Sequence, residues 1–269
     1  MVSSGGSSPG AREGPRGTLA TTAFAVALAG LGVVGLVSGD FAYVCQPVPP
    51  WVPARPVLAY ASSALLLGCG AGLLPARVRP RASRVLALYG VASMLLLHVP
   101  DIARRPQEEA RWFGLSEIAI LVAGAWLLFA GERGARPARW LFGLALLPVG
   151  LSHFVYAQVT AGLVPSWLPG HLGWAYLTGA GHLAAALAIL LGVLPRLAVT
   201  LEALMVSTFV LTIHVPTVLR TPRDRYQWTE LFVACAIAGA ASLLARSYRG
   251  VRWLAVRSSG RSGVRRADP

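Results

Sequence analysis

The chain contains an internal repeat that constrains its fold more than any other feature. Residues 48–112 align without a gap on residues 164–228, and 19 of the 65 aligned pairs are identical. The most conspicuous shared motif is His-Val-Pro, which begins at His98 in the first copy and at His214 in the second. Self-similarity at a fixed offset indicates one structural unit that occurs twice. We therefore expect two copies of one unit in tandem.

Apolar stretches of membrane-spanning length dominate both copies. The chain has 55% hydrophobic and 13% charged residues, a balance that soluble domains do not have. A helix needs about 20 apolar residues to cross the bilayer core, and there are eight such stretches, four in each copy. They are residues 19–39, 57–75, 82–99, 114–131, 138–157, 172–194, 197–215 and 228–246. The sequence thus predicts an all-α membrane protein with eight transmembrane helices.

The even number of spans in each copy determines how the copies are related. Both copies enter the membrane in the same direction, which makes the repeat parallel, with a pseudo-two-fold axis along the membrane normal. Several connections are short, so successive helices should be antiparallel neighbours in a four-helix bundle. We predict two tandem four-helix bundles, at residues 19–137 and 138–248, with disordered tails at residues 1–18 and 249–269.

The distribution of the 24 basic residues, all of them arginine, predicts the orientation. If both termini are cytoplasmic, 17 arginines lie inside and 7 outside, which is the asymmetry that the positive-inside rule describes. The basic tail is expected to lie against anionic lipid headgroups. The lipid bilayer, and not nucleic acid, is therefore the predicted partner of these arginines.

Ionisable side chains inside the predicted spans are few, and such groups are costly in lipid, so each is a candidate for function. Six of them fall at outer helix ends: Asp40, His98 and Glu117 in the first copy, and His153, His214 and Glu230 in the second. An antiparallel bundle brings these ends to one level. We therefore predict a carboxylate–imidazole cluster near the outer leaflet in each copy.

Two further residues break the repeat and make the second copy the stronger candidate for activity. His182 and Glu202 align with Leu66 and Leu86 in the first copy. His182 is placed near the middle of the sixth span, and Glu202 in the inner third of the seventh.

Trp167 belongs to a Pro- and Trp-rich outer connection that is either a structural anchor or a lid over a site.

Three interpretations of these polar residues remain open. The first is structural, with histidines that complete helix ends and a glutamate that the helix dipole favours. The second is a site for a quinone or another small amphipathic molecule, where His and Glu move protons. The third is metal or haem ligation by His98 and His214, although no flanking ligands stand at metal spacing. No P-loop, nucleophile elbow or zinc-protease motif is present, and we assign no catalytic residue.

The second half, residues 141–245, resembles the DoxX-like family of small bacterial four-helix membrane proteins. The motifs that carry the resemblance are Gly150–Phe154, Val164–His171, Trp174–Ala180 and Leu211–Pro216. The first half looks like a diverged second copy, which has Asp40 where the family pattern suggests His. The resemblance implies a bacterial inner-membrane protein. The family's namesake is similar to a membrane subunit of a thiosulfate:quinone oxidoreductase.

These observations together lead to one preferred function and two alternatives. We expect a quinone-associated or redox-partner membrane subunit, centred on His153, His214 and Glu230, with redox-enzyme subunits as possible partners. A non-catalytic scaffold or assembly protein is the first alternative. A small-molecule transporter is the second, and it requires that Glu202 and His182 line a path from the inner side.

Overall fold

The computed structural model describes residues 15–42 and 45–256, and the regular secondary structure within these residues is helical throughout. The α-helices are α1 (Pro15–Ser38), α2 (Arg55–Leu73), α3 (Arg79–Ser93), α4 (Val99–Arg104), α5 (Glu109–Ala130), α6 (Ala135–Val155), α7 (Ala157–Leu163), α8 (His171–Leu191), α9 (Pro195–Phe209), α10 (Val215–Arg220) and α11 (Arg225–Ser247). In this part of the chain, seven continuous helical segments are long and apolar enough to cross a membrane.

One of the seven segments, Glu109–Val155, contains 47 residues and forms two rods. A straight helix of that length would measure about 70 Å, more than twice the thickness of a bilayer core. The chain instead turns at Gly131, which has a φ of +57° and opens a 3₁₀ turn at Gly131–Gly134. The two halves, α5 and α6, then pack side by side. The described chain therefore has eight long rods.

The rods run between two ends of the bundle. We call the end where α1 begins and α11 ends the terminal end; its connections are residues 74–78, 131–134 and 192–194. The opposite end, the distal end, has two short connections, at residues 105–108 and 221–224, and two longer ones, which include residues 45–54 and the short helix α7. Membrane-crossing helices and a set of connections at each end support a multi-pass membrane protein.

The rods form a closed ring with a central pair. Each rod packs on the next in the order α1, α2, α3, α5, α6, α8, α9, α11, and α11 packs on α1 to complete the ring. α5 and α11 also pack on each other across the middle. The first rod of each half thus lies against the last rod of the other half, α1 on α11 and α6 on α5, so the two halves interlock.

Small residues let the central rods approach closely. The buried Phe24 of α1 inserts between α5 and α11, where a side-chain carbon on Gly124 or Gly239 would lie only 3.1 Å or 2.9 Å from it. On α2, such a carbon at Gly70 would lie 2.6 Å from the carbonyl oxygen of Ala25 on α1. Backbone contact of this kind is how helices associate in lipid, where no hydrophobic force draws them together.

The two His-Val-Pro motifs lie inside rods, which corrects the prediction that His98 and His214 stand at helix ends. Each motif follows a π-helical turn, at Met94–His98 and at Val210–His214, and the rod continues beyond it as α4 or α10. Proline lacks the N–H that an α-helix interior needs. The π turn shifts the hydrogen-bond register so that proline falls in the first turn of the next helix, where no N–H is required.

Matching elements of the two halves recur 116 residues apart. The bounds of α3, the π turn and α4 reappear at this offset as those of α9, the second π turn and α10. The residues before α2 and α8 are Ala54 and Gly170, and both have a left-handed backbone, with φ of +52° and +73°. The spatial neighbours match as well, since α1 packs on α2 as α6 packs on α8.

The predicted boundaries of the tails differ from the structure at both ends. α1 begins at Pro15, inside the segment 1–18 that was expected to be disordered. Residues 249–256 form turns, and the Leu194 N–H donates to the Ala255 carbonyl at 2.7 Å. Backbone and side-chain hydrogen bonds, which composition does not reveal, order these residues. The rest of both predicted tails lies outside the described residues.

Candidate functional site

A buried hydrogen bond between His182 and Glu202 is the centre of the candidate site. Nδ1 of His182 lies 2.8 Å from Oε1 of Glu202, and the two residues are 2% and 1% exposed. The bond joins α8 to α9. The second carboxylate oxygen, Oε2, is buried and has no hydrogen-bond partner among the described residues. Burying a carboxylate with one oxygen unsatisfied is energetically unfavourable, so packing alone does not account for a glutamate at this position.

His153 joins this pair from α6. Its ring lies 4.9 Å from the His182 ring, centre to centre, and its Nδ1 is 2.9 Å from the Val149 carbonyl. We call His153, His182 and Glu202 the His–Glu cluster. At 1.5 Å per residue along α8 and α9, His182 and Glu202 lie roughly 10–14 Å from the terminal end. The cluster is therefore deeper than the outer-leaflet position expected for His153 from its place at the end of α6.

An apolar pocket lies beside the cluster, in the groove between α8 and α9. Its volume is about 490 Å³, and Glu202 forms part of its wall. Small and apolar side chains line most of the rest, including Gly181, Ala185, Ala188, Leu197, Leu201 and Met205. Ligand pockets in proteins have volumes of about 300–1,000 Å³ and combine apolar walls with a few polar groups. The α8–α9 pocket has both properties.

The first half has apolar residues at the two positions that align with His182 and Glu202. Leu66 on α2 and Leu86 on α3 align with His182 and Glu202, and both leucines are buried. The His–Glu cluster thus has no counterpart at the aligned positions of the first half. Its imidazole and carboxyl groups can accept, hold and pass on a proton.

The structure brings Glu117 and Glu230 together near the distal end of the central rods α5 and α11. The two carboxyl groups are close enough to interact electrostatically, and the Tyr226 hydroxyl donates a hydrogen bond to Glu230. The Cys45 thiol donates to Glu117 Oε2 at 3.3 Å. Burial, together with the Glu117 carboxyl, raises the pKa of Cys45 well above its ordinary value. Carboxyl groups of the two halves thus meet, whereas the sequence predicted a separate cluster in each half.

His98 is also satisfied in this region, since its Nε2 lies 3.2 Å from the Cys45 carbonyl. His98 is 2% exposed. Its ring therefore holds the first distal connection against the α3–α4 rod.

Asp40 forms an ion pair with arginines from both halves. Its carboxylate lies 2.5 Å from Arg55 Nη1 and 2.9 Å from Arg225 Nη2. Burial opposes ionisation, but hydrogen bonds from the Phe41 N–H, Arg225 and Arg55 outweigh it and lower the pKa of Asp40. Asp40 thus connects α1 and α2 to the start of α11, and it takes no part in a cluster with His98.

Two predicted site residues stand apart from both groups. Among the described residues, the half-buried His214 has no hydrogen-bond or ion-pair partner. Trp167 is exposed at the distal end. Within residues 15–42 and 45–256, no three His, Cys, Asp or Glu side chains gather in a group that could hold a metal ion.

A polar network of the first half went unpredicted. The Gln46 amide donates to Ser62 Oγ at 2.7 Å and to the Tyr89 hydroxyl, and it accepts from the Ala42 N–H at 2.8 Å. No spacing in the sequence signals this network, because Gln46 belongs to an irregular connection. It holds that connection against α2 and α3.

The comparison with known proteins concerns the second half alone. Residues 142–238 match a family model described as a domain of unknown function, DUF8561. The matched segment contains all three residues of the His–Glu cluster. No curated protein and no solved structure matches the chain.

Proposed function

We propose that the protein binds a small lipid-soluble molecule, with a quinone as the best chemical fit, in the α8–α9 pocket against the His–Glu cluster. The observation that carries the proposal is the buried Glu202. One of its oxygens bonds His182, the other has no partner among the described residues, and the residue forms part of the wall of an apolar pocket of about 490 Å³. A ligand with an apolar body and one polar group complements such a wall.

The chemistry of the pair suits a quinone and its reduced form. A quinol hydroxyl can donate to Glu202 Oε2, and a quinone carbonyl can accept a proton from a protonated Glu202. His182 can supply or remove that proton through the 2.8 Å bond at Nδ1, because an imidazole ring can act as a proton donor or acceptor. A bound quinone accepts or releases electrons and protons. A partner redox subunit donates the electrons when the quinone is reduced and accepts them when the quinol is oxidised.

The repeat prediction forms part of this proposal, which describes two interlocked copies of a four-helix unit. Its support is the constant offset of 116 residues in helix bounds, π turns and left-handed caps. A side-chain detail recurs too, since Trp112 Nε1 donates to the Pro106 carbonyl and Trp228 Nε1 to that of Pro222, both at 2.9 Å. The resemblance to the DoxX-like family agrees with a four-helix unit.

The same resemblance supports a location in a bacterial inner membrane. Both chain ends of the described bundle lie at the terminal end, and the excess of arginines on that side supports its assignment to the cytoplasm. The α8–α9 pocket then lies in the cytoplasmic half of the bilayer.

A specific observation favours each of the two alternatives. Asp40, His98 and Glu117 have internal partners, as expected for a scaffold in which polar groups only join helices. The α8–α9 pocket reaches Val193 and Leu194 at the terminal end, as a transport path would. Its apolar wall, however, suits a lipid-soluble molecule better than a hydrated one.

Titration of decyl-ubiquinone into the purified protein in nanodiscs tests the proposal. The His182→Leu/Glu202→Leu variant, which copies the first half, should remain folded and lose binding. Ala188→Phe should weaken binding by filling the pocket while the polar pair stays intact. Tyr89→Phe, in the polar network of the first half, is the matched control and should bind as the wild type does. Equal affinity in all four proteins would contradict the proposal.

A further inference from the structure

A second cavity, of about 300 Å³, lies at the terminal end between α1, α9 and α11. Four residues of its lining stand out: Arg196, Arg246, Arg249 and Trp253. None of the residues that line the cavity is acidic. Three arginines in a lining without a carboxylate produce a local positive field, which attracts anions. We call this cavity the basic cavity.

Part of the lining of the basic cavity comes from the segment that follows α11. Arg196 donates to the carbonyls of Arg249 at 3.2 Å and Val251 at 3.0 Å. Its guanidinium carbon also lies 4.1 Å from the centre of the Trp253 ring. These contacts fold the segment back over the start of α9. The exposed Arg249 and Trp253 thereby both belong to the lining of the cavity, and tryptophan is a residue that anchors proteins at the headgroup level.

The walls of the basic cavity continue along the rods. Residues Arg196, Thr200, Ala203 and Ser207 follow one face of α9, a rise of about 16 Å. The hydroxyl of Thr200 donates to the Arg196 carbonyl at 2.7 Å, and that of Ser207 to the Ala203 carbonyl at 2.6 Å. Because these hydroxyls are satisfied within their own helix, the wall they present is largely apolar.

We propose that the basic cavity binds one anionic phospholipid. Its phosphate lies at Arg246 and Arg249, and one acyl chain lies along the α9 face. Arginine suits phosphate because its planar guanidinium offers several donors at once. Basic pockets between membrane helices at the cytoplasmic side recognise lipid headgroups in this way. The proposal concerns a different cavity from the α8–α9 pocket and does not depend on the ligand of the His–Glu cluster.

Native mass spectrometry of the purified protein measures this binding directly. Phosphatidylglycerol is added to the wild type, and phosphatidylcholine with the same acyl chains serves as the neutral lipid. We expect one phosphatidylglycerol molecule to remain bound where phosphatidylcholine is lost. Equal retention of both lipids would overturn the proposal.

Variants locate the site. Arg249→Gln should weaken phosphatidylglycerol binding about five-fold, and Arg246→Gln/Arg249→Gln about 25-fold, since each arginine near an anionic surface contributes about 1 kcal/mol. Arg77→Gln, an exposed arginine at the terminal end in the first half, is the charge-matched control and should bind normally. A loss in Arg77→Gln as large as in Arg249→Gln would mean a diffuse charge effect and would contradict a defined site.

Two further experiments distinguish binding of a lipid from binding of a free phosphate ion. Ser207→Phe fills the apolar wall, so it should weaken phosphatidylglycerol binding, and melting temperature checks that the variant is folded. Inorganic phosphate at millimolar concentration should not displace the lipid, since it cannot use the wall. If phosphate displaces the lipid and Ser207→Phe binds the lipid normally, the cavity is a site for a free anion. That result would refute the proposal.

Discussion

Replacing Glu202 alone should lower the free energy of unfolding, and replacing His182 as well should restore most of it. Glu202→Leu leaves the His182 ring without its partner, in a place where it is 2% exposed. His182→Leu/Glu202→Leu removes the need for a partner and reproduces the buried Leu66 and Leu86 of the first half. The first half therefore serves as an internal reference for the double variant.

The sizes of the two effects follow from the geometry of the pair. A hydrogen bond between membrane helices contributes about 0.6 kcal/mol and at most about 1.7 kcal/mol. A buried polar group left without a partner costs about 1–3 kcal/mol. We therefore expect Glu202→Leu to lose about 1–3 kcal/mol of unfolding free energy. The double variant should lie within about 1 kcal/mol of the wild type, because well-packed apolar pairs replace buried ion pairs without loss.

Equilibrium unfolding in mixed micelles of the wild type, both single variants and the double variant gives the coupling energy between the two sites. We expect a coupling energy of at least about 1 kcal/mol, because the double variant should lose less stability than the sum of the two single losses. Purely additive losses would refute the reasoning, and so would a stable Glu202→Leu protein.

Two further predictions concern the ion pair of Asp40 and the contact of α1 with α2. Because the folded pKa of Asp40 is lowered, its contribution to stability is present above its unfolded pKa of about 3.9 and is lost as the pH falls through the folded pKa. Melting curves from pH 6 to pH 3 should therefore fall more steeply for the wild type than for Asp40→Asn, and parallel curves would contradict this. Gly70→Val should lower the melting temperature, because its new side chain meets the backbone of α1, whereas Gly68→Val, with no atom within 4 Å of an added carbon, should not. Equal losses would show that the close approach of the two helices is unimportant.

The length and polarity of the apolar stretches were sufficient to predict the rods. A run of about 20 apolar residues without charges has few stable conformations other than a membrane helix. The third and seventh rods nevertheless extend beyond their predicted ends to Arg104 and Arg220. The proline of each His-Val-Pro motif suggested a helix end, and only the register shift of a π turn allows the rod to continue past it.

The partners of the polar residues were harder to predict than their identity. His182 and Glu202 could be singled out because they interrupt the repeat, but their mutual distance depends on helix rotation and depth. Glu117 and Glu230 meet because α5 and α11 pack together in the centre, a neighbourhood that the order of the helices along the chain does not specify. The same holds for the basic cavity, whose lining depends on how residues after α11 fold back onto Arg196.

Mass spectrometry of the organic extract of the protein, purified in nanodiscs directly from its own membrane, tests the proposed function most directly. We expect a quinone, or another lipid-soluble molecule with a polar head, at close to one molecule per chain in the wild type. The His182→Leu/Glu202→Leu variant, purified in the same way, should be depleted of that molecule while retaining its phospholipids. The same phospholipids in both samples, and no further molecule in either, would contradict a ligand site at the His–Glu cluster.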